Sequence, residues 1–178
     1  MTQKIQPQWI DNTTGMLTTF QNWMAMSRCM YTLKTDTTDV GNITTGEDDL
    51  MTFTLPANKM SDVGDYIKIS AWGILAANAN SKQMKLKFGA TTLYDSWAQS
   101  QNDGSRLFEA TVVMTWAATQ KAITNVFYTS GMVYPAEILI TNPTETLSWT
   151  IVIKCTGEGV STDDIVQQWL VVTYFTST

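Results

Sequence analysis

Met84-Lys85-Leu86-Lys87-Phe88 is the stretch whose reading decides the fold. Apolar and charged residues alternate there with a period of two. That pattern belongs to a strand with one face in a core and the other in water. The same reading extends upstream through Tyr66-Ile67-Lys68-Ile69-Ser70-Ala71-Trp72, which follows a turn at Ser61-Asp62-Val63-Gly64. Before that turn, Leu50-Met51-Thr52-Phe53-Thr54-Leu55 alternates until Pro56, and Met30-Tyr31-Thr32-Leu33-Lys34 reads as a short first strand.

Downstream, Thr92-Leu93-Tyr94 continues the series beyond a bend at Gly89. Phe108, Ala110, Val112, Met114 and Trp116 form an inward row after an expected turn at Asn102-Asp103-Gly104. Ala122 to Tyr128 and Ala136 to Ile140 follow. Leu147, Trp149, Ile151, Ile153 and Cys155 are the clearest alternating series, and Gly157-Glu158-Gly159 is expected to turn the chain into its last segment. That segment, Ile165 to Phe175, is apolar on both faces: Trp169, Val171 and Phe175 oppose Leu170, Val172 and Tyr174. A strand greasy on both sides is covered on both sides, here by the N-terminal arm or by another subunit.

Counted from Leu50, about eight strands are predicted, with no long helix between them. The expected fold is all-β, an antiparallel β-sandwich of jelly-roll type. The jelly-roll domain is placed at residues 39–178, preceded by an N-terminal arm at 1–38. Within the arm, Met16, Phe20, Trp23 and Met24 recur at spacings of three and four after Asn12-Thr13-Thr14. That fits a short capped amphipathic helix, and it fits equally an extended arm whose aromatic residues dock on a neighbour.

The 178 residues suffice for one domain with its own core. Only 15% are charged, against about 25% in an average protein, and Thr, Asn, Gln and Ser take the difference. A surface poor in charge loses less hydration on docking, which favours an assembling protein. With a net charge of -5 and no run of Lys or Arg, neither nucleic acid nor an anionic membrane surface is an expected partner. The N-terminus lacks the apolar core of a secretory signal. Cys29 and Cys155 are the only cysteines. The alternation places Cys155 as a small buried apolar side chain, in a protein made in a reducing cytoplasm.

Histidine is absent. That removes Ser-His-Asp and Cys-His catalysis and every histidine metal site, and no phosphate-cradling glycine motif is present. No catalytic residue, cofactor or metal is expected. The acidic run Gly46-Glu47-Asp48-Asp49 reads as a solvated turn, with calcium as the lesser alternative. Asp163-Asp164 reads as a plain turn. Of seven tryptophans, Trp72, Trp116, Trp149 and Trp169 fall in strand registers, as core or subunit contact. Trp9, Trp23 and Trp97 lie outside the strands and are better interface anchors. Tyr94 and Trp97 bracket a loop that could stack on a sugar.

Asp39-Val40-Gly41-Asn42, the run from Thr45 to Asn58, Gly64 to Gly73, Ala76 to Asn80, and Lys85-Leu86-Lys87-Phe88-Gly89 together carry a resemblance. Over roughly Asp39 to Thr92 the chain resembles small jelly-roll structural proteins of tailed bacteriophages and environmental viruses, found as capsid decoration or fibre proteins. The resemblance implies a virion component made in the host cytoplasm and carried on the exterior surface of the particle. It implies a homotrimer whose partners are itself, the major capsid protein and other virion proteins. On that reading Trp9, Phe20 and Trp23 face the shell, and Trp169 and Phe175 lie between subunits. The alternative is a receptor- or glycan-binding module of a tail or head fibre, reading its ligand through Tyr94 to Gln101 and Gly131 to Tyr134.

Overall fold

A computed structural model describes residues 30–43, 45–129 and 137–177. Trp9, Phe20 and Trp23, the question of helix or arm, Cys29 and the loop from Gly131 to Tyr134 lie outside them. Every regular element among the described residues is a strand: β1 (Met30–Asp36), β2 (Val40–Gly41), β3 (Gly46–Leu55), β4 (Tyr66–Phe88), β5 (Thr91–Asp95), β6 (Gln99–Trp116), β7 (Thr119–Thr129), β8 (Glu137–Thr141), β9 (Ile151–Gly159) and β10 (Ile165–Phe175). Eight of them, β3 to β10, follow the point from which the sequence count began.

The strands form an antiparallel β-sandwich. The larger sheet runs β1-β10-β4-β6-β7-β8, with β2 beside β10. The smaller one runs β3-β9-β4-β5. Both contain β4. Its first part, Tyr66 to Leu75, pairs with β10 and β6, and its last part, Gln83 to Phe88, pairs with β9. The sequence reading split this segment into two strands. The link, Ala76-Ala77-Asn78-Ala79-Asn80, carries only small side chains and lets one continuous strand bend from one sheet into the other, as strands at sandwich corners do.

The core lies between the sheets and is built from inward rows that the alternation identified: Ile67 and Ile69, Leu86 and Phe88, Phe108 and Val112 are all fully buried. Cys155 joins them, and burial alone pushes its thiol up to about 12. β1 pairs along β10 from Met30 to Asp36, so the sandwich begins ahead of the expected boundary at Asp39.

Three expected turns are strand instead. Asn102-Asp103-Gly104 lies inside β6, where Asp103 and Gly104 take φ of 73° and 133° and bend the strand alongside β4. Glu47 to Asp49 lie inside β3. Gly157 and Gly159 lie inside β9, and their role is close packing. A Cβ on Gly157 would sit 2.8 Å from Leu50 Cδ1, and one on Gly159 would sit 2.6 Å from Asn42 Nδ2.

The turn proper is 160–164, and Asp164 organises it. This residue is buried, and its carboxylate accepts hydrogen bonds from the backbone N–H of Val160 (2.9 Å) and Ser161 (2.7 Å) and from the side-chain amides of Asn78 (2.7 Å) and Asn80 (3.0 Å). Burial alone would raise its pKa, but these donors outweigh it and hold the group down to about 2. Asp164 therefore ties the turn before β10 to the bend of β4, which is more than a plain turn.

Candidate functional site

On the outer face of the larger sheet, β10, β4, β6 and β7 bring Trp169, Trp72, Leu107 and Phe127 side by side as successive cross-strand partners. The indoles of Trp72 and Trp169 are tilted together at 5.3 Å between centroids. Trp169 is 38% exposed, and Phe127 and Ile74 are comparably open. At the β7–β8 edge, Ile123 lies opposite Ile140, and Ile138 is exposed beside it. Along β10 the same face carries Phe175, stacked on Tyr66 at 4.4 Å. Burying an aromatic row of this kind against a partner is worth on the order of 1.5–3 kcal/mol per side chain.

The smaller sheet presents a different outer face. Glu47 reaches over β9 to bond Lys85 (2.6 Å) and Lys87, and Lys154 bonds Asp49 (2.8 Å). Partial burial works against ionisation of Glu47, yet hydrogen bonds from Lys85 and Lys87 bring it down to about 2. Asp48 instead accepts the N–H of Ile43. The three acidic residues thus take three separate sets of partners: alternation along β3 turns Asp48 away from the other two, and Glu47 and Asp49, on one face, bond different lysines. Among the described residues no group of three or more potential metal ligands converges.

Two exposed tryptophans sit on rigid turns at this sheet. Trp97 follows β5, is 73% exposed and has φ of 54°. A bulky side chain in that left-handed region is an outlier that the surroundings must hold in place. Here the Trp97 N–H donates to Asp95 Oδ1, which also accepts Gln83 Nε2, and buried Ser96 binds Met84 through backbone and side chain. Trp149 is also 73% exposed and precedes β9. Its loop is pinned from several sides. Gln120 grips the backbone of Glu145 at both N–H and C=O, and Glu145 Oε1 accepts from Ala90 N, Thr91 N and Thr91 Oγ1. Leu147 is buried, with its N–H on Ala117 and its C=O on Asn58.

These placements correct several expectations. Of the two roles expected for Trp72, Trp116, Trp149 and Trp169, core or subunit contact, the core role falls, since none of the four is among the buried core residues. Trp116 is turned outward where a bulge falls between Met114 and Trp116. Trp149 precedes the strand that its alternating series suggested, since β9 starts only at Ile151. Tyr94 offers no face to a sugar: it is 2% exposed, packed on Phe108, with its hydroxyl 2.6 Å from that of Tyr128. Burial first, and then the Tyr128 contact, push its ionisation upward. Trp97 and Tyr94 therefore do not share one surface. The exposed position of Trp149 was missed, although Pro143 and the run Thr144-Glu145-Thr146 already broke the alternation before it.

No protein-family model matches the chain, and no curated protein matches it. Among solved structures it is similar to the CBM2 module of the evolved Dit of Lactobacillus casei BL23 phage J-1. The identity is 10% and the TM-score 0.34, over 71% of this chain and 69% of that one. A likeness this distant transfers neither ligand nor role.

Proposed function

We propose that the protein is a non-enzymatic virion structural protein that assembles as a homotrimer and decorates a capsid. The single observation that carries this reading is the aromatic row Trp169–Trp72–Leu107–Phe127 on the outer face of the larger sheet. In this row each of four adjacent strands spends an outward position on a large apolar side chain, where a solitary domain would more often place a polar one. The chain-wide scarcity of charge agrees with it. The particle setting and the trimer come from the sequence resemblance over Asp39 to Thr92.

Light scattering on the purified full chain tests the assembly, with a trimer as the expected mass. The double variant Phe127→Glu, Trp169→Glu puts two charges into the row and should shift the protein to monomer while leaving the β circular dichroism intact. Wild-type protein that stays monomeric and ignores undecorated shells refutes the reading.

A second reading has its own observation. Trp97 is both exposed and held in a costly backbone conformation, and strained positions of this kind cluster at functional sites, ligand clamps among them. On this reading the chain is a receptor- or glycan-binding module of a fibre. It predicts reduced host adsorption for Trp97→Ala, and adsorption at the wild-type level would end it.

A further inference from the structure

We propose that the groove beside Trp149 binds a neutral saccharide chain. The groove has a volume of about 550 Å³, and its lining includes Asp49, Glu145, Thr146, Trp149, Thr150 and Lys154. That size falls in the range of roughly 300–1,000 Å³ usual for small-molecule sites. Trp149 contributes the one large aromatic surface and leaves most of it open to solvent. It is not required as the anchor of its loop, since Leu147 fills that role in the core.

The chemistry of the lining selects the ligand class. An indole face complements the C–H face of a pyranose ring. The exposed hydroxyls of Thr146 and Thr150 supply donors and acceptors at its rim. The apolar part of the lining is Trp149 with exposed Val152 and buried Ile151, a narrower apolar centre than a protein partner would ask for. Charge narrows the class further. Asp49 and Lys154 neutralise each other at 2.8 Å, leaving the Glu145 carboxylate as the excess. A groove with net negative charge disfavours sialic and uronic acids and accepts uncharged hexoses and N-acetylhexosamines.

Rigidity is the second argument. Glu145 is clamped through its backbone by Gln120 and through its side chain to Ala90 and Thr91, and the Trp149 N–H closes a turn on Thr146. The indole is therefore presented by a loop that loses little freedom on binding, which is how a shallow site reaches useful affinity.

A printed array of neutral hexose, N-acetylhexosamine, sialylated and uronate oligosaccharides, probed with the full chain, tests the proposal. Titration of the best neutral oligosaccharide, followed by tryptophan fluorescence, quantifies it. Binding to neutral glycans is expected, weakened at least tenfold in Trp149→Ala and unchanged in Trp116→Ala, whose ring is equally exposed but lies outside the groove. Since Trp149 is exposed, the variant's melting temperature should match wild type, so a loss of binding is not a loss of fold. A blank array, binding confined to acidic glycans, or equal binding by wild type and Trp149→Ala overturns the site. The assembly reading is tested separately: a trimer with a blank array removes only the groove, and a glycan-binding monomer removes only the trimer.

Discussion

Replacing Asp164 by Asn tests how the turn before β10 is held to the bend of β4. The carboxylate accepts from two backbone N–H groups and two side-chain amides. The substitution turns one of its acceptors into a donor. Val160 and Ser161 cannot reverse their N–H groups, so the new amide must face Asn78 and Asn80. Asn78 cannot flip to accept it without loss, because its Oδ1 already holds Lys82 Nζ at 2.7 Å and the Asn80 N–H at 3.0 Å. A charge-assisted hydrogen bond contributes about 1.5–3 kcal/mol, so the variant should lose about 3 kcal/mol at pH 7. For a chain of this length that corresponds to roughly 6–12 °C in Tm.

The pH dependence has a definite sign. The folded pKa lies near about 2, below the ordinary value of 3.8. The ionised group's contribution is therefore fully present above pH 3.8 and is lost as the pH falls through 2. It amounts to about 2 kcal/mol. Glu47 and Asp65, also held low, titrate alike in both proteins and cancel in the difference. Urea denaturation at pH 7, 5, 3 and 2 should show the gap between wild type and Asp164→Asn narrowing by about 2 kcal/mol, mostly below pH 4. A gap under 1 kcal/mol at pH 7, or one equally wide at pH 2, would refute this account of the turn.

Two further outcomes follow from buried groups. Gln120→Ala removes both hydrogen bonds to the Glu145 backbone; it should cost about 2–3 kcal/mol and raise amide exchange in 144–149 well before β6 opens, and uniform exchange would argue against a clamp. In a Cys29→Ser background, Cys155 should resist a thiol reagent at pH 8, since its pKa is pushed up to about 12, and react fully once denatured; rapid labelling of the folded protein would contradict its burial.

The inward rows of the sandwich were readable in the chain because a period of two leaves a strand only two faces. Met84, Leu86 and Phe88, and Phe108, Ala110 and Val112, went to the core as the alternation required. The doubly apolar last strand was readable for the same reason. Leu170, Val172 and Tyr174 are buried, while Trp169 and Phe175 line the outer face.

What only the tertiary structure decided lies where backbone geometry departs from that period. A bulge sent Trp116 outward, and a loop pinned by Gln120 and Glu145 exposed Trp149 beside its groove. One long strand bending at Ala76–Asn80 joined what read as two. The glycines of β9 look like turn residues in sequence, yet they are there because Leu50 and Asn42 leave no room for a Cβ. Alternation is a local property of one strand and is written in its residues. Bulges, bends and close approaches depend on what lies across the sheet, and that partner is distant in the chain.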